Sequence, residues 1–315
     1  MSERKYVGLI GAGSIGCWLG GRLKAAGHDV AILREKERIT AHEEIIVLEE
    51  DEEETRVKFP VLSELQPKPD ILLVAVKAMY LPQVAPLIAA NADASTLVLP
   101  LQNGVPFWFM PGETIVDVDP VGSVAASVPP GQVIGNVIHA SASRKGDWIK
   151  IQKADKLLLG EPGGAVSGRV TELVDIFCKA GIPTKASDAI RTDIWYKLWG
   201  NLTLNPISAL TLETVDRLLA DPQIVALISG AMEECRTIGE AIGCPITESV
   251  EERLDVARTL GVFKTSMLQD LEAGRPLEYR ALVAAPRAIA AKRNIPTPHI
   301  DHILGLIRLL DAKLH

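Results

Sequence analysis

At 315 residues the chain is long enough for two domains, and its 47% hydrophobic content is ample for a sizeable core. Lys and Arg number 33 against 40 Asp and Glu, a formal charge of −7. That surface repels phosphate backbones and argues against nucleic acid as a partner, while a local basic cleft for one small anion stays open.

The chain begins with polar residues, Met1–Lys5, which have no signal-peptide anatomy, and passes directly into an apolar strand at Tyr6–Ile10. A glycine turn follows, then a helix over about Ser14–Ala26. Strands are expected at Val30–Leu33 and Ile71–Val76, a helix at Leu81–Ala90 with Pro82 tolerated in its first turn, and a further strand at Thr96–Leu101. Strands that are apolar on both sides and alternate with helices imply a parallel sheet covered on both faces. The acidic run Glu49–Glu54 reads as a solvated loop or hairpin. From Gly122 to Leu159 the texture turns to strands and turns, with Pro129-Pro130-Gly131 and Arg144-Lys145-Gly146-Asp147 as turn signals. Beyond Ser187 helical patterns cover about 189–204, 222–242, 248–260, 279–293 and 299–313, punctuated by Asn205-Pro206, Asp221-Pro222, Gly243 and Pro296–Pro298. The expected fold is α/β, with a Rossmann-like doubly wound sheet over residues 1–187 and an all-helical domain over 188–315. No apolar run approaches the ~18 residues of a membrane span. Cys17, Cys178, Cys235 and Cys244 have no CxxC or metal spacing, so buried thiols in a cytoplasmic setting are expected and no metal.

Gly11-Ala12-Gly13-Ser14-Ile15-Gly16 is a G-x-G-x-x-G that closes the first strand and opens the first helix. The first glycine permits the tight turn, the second lets backbone approach a pyrophosphate, and the third lets helix and strand pack closely. The helix N-terminus then faces the phosphate charge. The strand, helix and second strand stand in the right order around it, which is the context that gives this motif weight. At the end of the second strand, where NAD enzymes carry an acidic residue for the ribose hydroxyls, this chain has Arg34 beside Glu35. An arginine there can pair with a 2′-phosphate, which favours NADP(H) over NAD(H).

In the helical half, Lys197, Asn201 and Asn205 fall within a wedge of roughly 80° on one helical face. Trp195, Leu198, Trp199, Leu202 and Leu204 occupy most other directions. A narrow polar stripe on an otherwise apolar helix needs polar partners, which a ligand cleft supplies. On geometry alone an ordinary solvated face is equally consistent.

The stretch Lys197…Asn201…Asn205-Pro-Ile-Ser-Ala-Leu-Thr211 resembles the lysine helix of the ketopantoate reductases. Val76-Lys77, Leu101-Gln102-Asn103-Gly104, Lys264-Thr-Ser266-Met-Leu-Gln-Asp270 and Gly274-Arg275-Pro-Leu-Glu278 follow the same family pattern in order, so the resemblance spans nearly the whole chain. It implies NADPH-dependent reduction of 2-dehydropantoate to pantoate, in pantothenate and coenzyme A synthesis. Lys197 would donate a proton to the C2 oxygen, with Asn201, Asn205, Ser266 and Asn103 holding the small 2-oxo acid. The Gly11–Gly16 loop, Arg34, Lys77, Asn103 and Glu278 would contact the cofactor, and a homodimer is compatible with the pattern. The family commonly continues its glutamate as Glu-Ile-Asp with a later Asn-Gly. Here the residues are Glu278-Tyr279-Arg280 and Val283-Ala284, so an added cation is expected beside the site. That departure keeps a paralogue acting on another 2-oxo acid as the second reading. A dinucleotide-binding regulator without turnover is the third, against which the intact lysine, asparagine, serine and glutamate set argues. A lactate-type mechanism would need an oriented histidine, and His139, His299 and His302 all read as structural.

Overall fold

The computed structural model describes residues 4–259 and 261–314. The chain divides into two compact units, one of residues 1–102 with 121–191 and the other of 103–120 with 192–315.

In the first unit β1 (Tyr6–Ile10), α1 (Ser14–Ala25) and β2 (Asp29–Leu33) form the opening β-α-β motif. The acidic run is the turn of a hairpin, β3 (Glu43–Glu50) with β4 (Glu53–Leu62), in which Asp51 and Glu52 take positive φ. β5 (Ile71–Val74), α2 (Leu81–Asn91), β6 (Leu97–Pro100) and the short α3 (Ser123–Ser127) come next. A long antiparallel hairpin, β7 (Gly135–Lys145) with β8 (Trp148–Gly160), then extends the sheet, and α4 (Gly168–Lys179) and β9 (Thr184–Ser187) close the unit. Among the described residues the strand order is β6-β5-β1-β2-β4-β3-β8-β7, with β9 beside β8. The β6-β5-β1-β2 part is parallel throughout, as expected of strands whose residues are buried on both faces. Leu9, Val30, Ile32, Leu73 and Leu99 share one core with Trp18, Leu19 and Leu23 of α1 and Leu173 and Phe177 of α4. Three cysteines are buried as expected, but Cys178 is exposed, because it lies on the outer face of α4.

The second unit is built on α5 (Ile190–Thr211), followed by α6 (Val215–Ala220), α7 (Pro222–Ala241), α8 (Val250–Arg258) and α9 (Ser266–Glu272). A π-helical segment over Arg280–Ala284 leads into α10 (Ala285–Ala291), and α11 (Pro298–Asp311) ends the unit. α5 does not stop at Asn205-Pro206 as the sequence suggests but runs through Pro206 to Thr211. A proline forfeits one hydrogen bond and strains the helix, and here Pro206 and its neighbours Asn205 and Ile207 are all buried, so packing outweighs that cost. Residue 260, at the end of the expected 248–260 helix, lies outside the described residues. Residues 103–120, assigned to the N-terminal domain on sequence, belong to the second unit. They are held there by Val105, whose N–H donates to the Ala281 carbonyl (3.0 Å), and by Phe109, which stacks on Trp195 at 5.8 Å between ring centroids. No described helix is long and apolar enough to cross a membrane, and no group of three or more potential ligands among the described residues is arranged to hold a metal.

Candidate active site

The glycine loop shows why each glycine is there. Gly11 has φ +93°, and a Cβ on it would meet the Ala75 backbone at 2.6 Å, so the turn admits no other residue without strain. A Cβ on Gly16 would lie 2.3 Å from the Gly11 carbonyl oxygen, so this glycine sets how closely α1 approaches the turn. Gly13 differs: a Cβ there would meet nothing within 4 Å. Packing does not require a glycine at that exposed position, whereas the close approach of a ligand would. Gly13 is also the N-cap of α1, with no side-chain cap and no acidic residue in the first turn. Donors of that turn, which begins with Ser14 and Ile15, are thus left to an anion, the arrangement that binds phosphate. The residues therefore fit a dinucleotide.

Around this loop, Lys77 follows β5 at the start of a short turn and is partly buried. Gln102 donates from Nε2 to the carbonyls of Val74 (2.7 Å) and Val76 (2.9 Å), tying the loop after β5 to the end of β6. Arg34 directly follows β2, and its backbone N–H is fixed on the Leu62 carbonyl at 2.9 Å. Its guanidinium is ion-paired with Glu44 of β3, a residue that the sequence reading did not single out. Arg144, read only as part of a turn, reaches from β7 to the loop itself, donating to the Ala12 carbonyl. No local pattern announces this contact, since its partners are 132 residues apart.

The second unit carries the remaining predicted site residues. α5 is anchored by its tryptophans: Trp195 Nε1 donates to the Cys235 carbonyl at 3.1 Å, and Trp199 Nε1 to the Met232 carbonyl at 2.8 Å, both on α7. Both rings are fully buried, so each indole N–H needs its partner. This locks the rotation of α5 and hence the direction of its Lys-Asn-Asn face. Lys197 donates from Nζ to Asn103 Oδ1 at 2.8 Å, which joins two predicted site residues far apart in sequence. Burial lowers the lysine's pKa from its ordinary 10.5 to about 8, and the carboxylate of Glu278 opposes that fall. Asn205, one helical turn beyond Asn201, is buried with 6% exposure, while Asn201 is partly buried. Ser266 is the first residue of α9 and exposed. The geometry thus brings Lys197, Asn103 and Glu278 together, and it puts Asn201 and Asn205 on the lysine's own helix.

The cation expected from the Glu278-Tyr279-Arg280 departure lies at the start of the π-helical segment. Arg280 is exposed, its guanidinium 5.9 Å from the Tyr279 ring centroid, and Tyr279 is the buried member of the pair. The widened π-helical turn beginning at Arg280 sends successive side chains in directions that the α-helical period does not forecast. The Glu278 carboxylate acts on Lys197, favouring its charged form. His299 is engaged structurally: Glu234 accepts from its backbone N–H and that of Ile300, both at 2.9 Å, and contacts its ring at 2.6 Å.

The model of the family "Ketopantoate reductase PanE/ApbA" matches residues 7–163, and that of its C-terminal domain matches residues 189–311. A 2-dehydropantoate 2-reductase of Mesorhizobium japonicum is 37% identical over 317 residues, covering 97% of each chain. Among solved structures, a Ralstonia solanacearum chain assigned as a ketopantoate reductase superposes with a TM-score of 0.92 at 39% identity, covering 98% of each chain. The 2-dehydropantoate 2-reductase of Methylococcus capsulatus superposes with a TM-score of 0.83 at 26% identity, covering 98% of this chain and 97% of that one. D-mandelate dehydrogenase, solved with NADH and anilino(oxo)acetate, shares the fold at 20% identity and a TM-score of 0.82, with 98% and 99% of the chains covered. With a glycine loop that fits a dinucleotide, a partly buried lysine on a fixed helix and family models spanning both units, the chain belongs to the ketopantoate reductase family of oxidoreductases.

Proposed function

We propose that the protein reduces 2-dehydropantoate to pantoate with NADPH, and that Lys197 is the proton donor. The observation that carries this reading is the Lys197 ammonium held on Asn103 with its pKa lowered to about 8. The chemistry that NADPH supplies when bound is a hydride for the 2-oxo carbon. As the C2 oxygen gains negative charge, Lys197 gives up a proton from Nζ: the N–H bond breaks, the O–H bond forms, and the neutral amine regains its proton from solvent. A donor with a pKa near the working pH is matched to that task, being still protonated yet acidic enough to transfer. Asn103 fixes the ammonium's direction through its carbonyl oxygen, and Glu278 keeps the lysine from losing its proton too early. Asn201, Asn205 and Ser266 are the residues for the substrate's polar groups.

For the cofactor, Gly11, Gly13 and Gly16 shape the loop, the first turn of α1 takes the diphosphate, and Lys77 and Arg34 supply positive charge. Arg34 supports NADPH over NADH. The departure at Tyr279 and Arg280 supports the second reading, reduction of another 2-oxo acid. The test follows NADPH absorbance with 2-dehydropantoate and with a panel of linear and branched 2-oxo acids. Fastest turnover with 2-dehydropantoate supports the proposal; a clear preference for another acid moves the chain to the second reading. Cofactor binding with no turnover of any acid sinks both.

A further inference from the structure

We propose that Arg144, from the β7–β8 hairpin, reads the 2′-phosphate of the cofactor together with Arg34, and that Glu44 is the carboxylate these two arginines must outweigh. This rests on the reading of the Gly11–Gly16 loop as the NADPH site.

The sheet topology brings the three residues together. Arg34 directly follows β2, whose end pairs with the end of β4 through Leu33 and Leu62. Glu44 lies at the start of β3, opposite Phe59 of β4. The tip of the β7–β8 hairpin docks beside that strand, where the Val47 N–H donates to the Asp147 carbonyl at 2.9 Å and Val47 pairs with Trp148. Arg144, next to this tip, donates from Nε to the Gly146 carbonyl at 2.8 Å and from Nη1 to the Ala12 carbonyl. The same nitrogen lies 3.7 Å from Cys17 Sγ. Arg144, Glu44 and Arg34 all act electrostatically on Cys17, in the first turns of α1, so the three charges share one neighbourhood.

Charge balance decides what this neighbourhood binds. Arg34 and Glu44 form an ion pair and together contribute no net charge, so Arg34 alone is a weak signal for a phosphate. Glu44 is moreover partly unsatisfied: its Oε2 is buried without a hydrogen-bond partner among the described residues. A carboxylate with a spare acceptor near the end of β2 is what NAD enzymes offer to the ribose 2′-hydroxyl. Without Arg144 the pair would suit NADH. Arg144 makes the cluster net positive, and it does so next to the N-terminus of α1, where the helix dipole disfavours a cation. An anion seated between the dipole and the two guanidiniums resolves that conflict, and a phosphate accepts the paired donors that an arginine fork presents.

The test is equilibrium binding, by calorimetry or fluorescence, of NADPH, NADH, adenosine 2′,5′-bisphosphate and 5′-AMP to the intact wild type, Arg144→Ala and Glu44→Gln, with melting curves as a check on folding. Arg144 is exposed, so its truncation should leave the fold intact. Loss of a charged hydrogen-bonding partner should weaken NADPH and the bisphosphate about ten- to a hundredfold, leaving NADH and AMP within about twofold. Glu44→Gln should do the reverse, raising the preference for NADPH over NADH. Equal loss of NADPH and NADH in Arg144→Ala would put the residue on the diphosphate and overturn the proposal. Unchanged binding in that variant, while the wild type still prefers NADPH, would overturn the role of Arg144 and leave the NADPH reading standing. A wild type that binds NADH more tightly and does not distinguish the bisphosphate from AMP would overturn both.

Discussion

Lys197 sits under two opposed influences. Burial favours its neutral amine, and the Glu278 carboxylate favours the ammonium; burial is the larger, leaving a pKa of about 8. A proton donor must be protonated to act, so the rate of reduction should hold below about pH 8 and fall as the pH rises through that value. Glu278→Gln removes the opposing charge, and the falling limb of the kcat–pH profile should then move to lower pH. A limb that stays in place would detach Glu278 from the lysine's titration. Positioned proton donors typically contribute about 10²–10⁴ in rate. Lys197→Ala should therefore lower kcat at least about a hundredfold while the Kd for NADPH stays close to wild type. Asn201→Ala and Asn205→Ala should act chiefly by raising KM, because in the proposed reading they position substrate without transferring a proton. Near-normal kcat in a well-folded Lys197→Ala protein would move the proton donor elsewhere.

At the scale of elements, the device that presents Asn103 to Lys197 is the contact between the loop after β6 and the π-helical segment. Gly104 has φ +84°, and a Cβ on it would lie 2.6 Å from the Ala281 carbonyl oxygen, just where Val105 makes its backbone hydrogen bond. Gly104→Ala combines left-handed strain of about 1–2 kcal/mol with a backbone clash that the segment can relieve only by moving. It should lower Tm by several degrees and reduce kcat through a displaced Asn103. Gly112→Ala is the control, with φ +73° and nothing within 4 Å of the added Cβ; it should carry the strain alone and spare kcat. Melting curves and steady-state rates on the two variants separate the effects, and equal kcat in both would remove the positioning role of the contact.

The same elements show where the sequence was legible. β1, the glycine loop and α1 could be read because strand, turn and helix are each encoded within a few residues. The Lys-Asn-Asn face could be read because it lies on one helix with a clear period. β3 and β4 were harder, since Glu43, Glu44, Glu49 and Glu50 flank the short apolar core of β3 and resemble loop. Pro206 looked like a stop, yet burial of the surrounding helix carried α5 past it. The π-helical turn has no sequence period of its own, so the directions of Arg280 and its neighbours could not be read from the sequence. Arg144 and Glu44 escaped notice because sheet order, and no local motif, brings them to the Gly11–Gly16 loop.

In the proposed reading the residues divide by unit. The first carries the glycine loop, Arg34, Lys77 and Arg144; the second carries Asn103, Lys197, Asn201, Asn205, Ser266 and Glu278. Variants of the glycine loop, Arg34 and Lys77 should therefore change cofactor affinity, and those of Lys197, Asn201, Asn205 and Ser266 should change turnover or substrate KM. Gly11→Ala, whose Cβ would meet the Ala75 backbone at 2.6 Å, should weaken NADPH and NADH alike, as fluorescence titration with each cofactor would show. The most direct test of the central claim is the fate of the hydride. Turnover of 2-dehydropantoate with NADPH deuterated at the transferred position of the nicotinamide, followed by mass spectrometry of the product, should give pantoate bearing one deuterium, on C2. Pantoate without deuterium would contradict hydride transfer from the nicotinamide, and no pantoate at all from a folded protein that binds NADPH would contradict the assigned reaction.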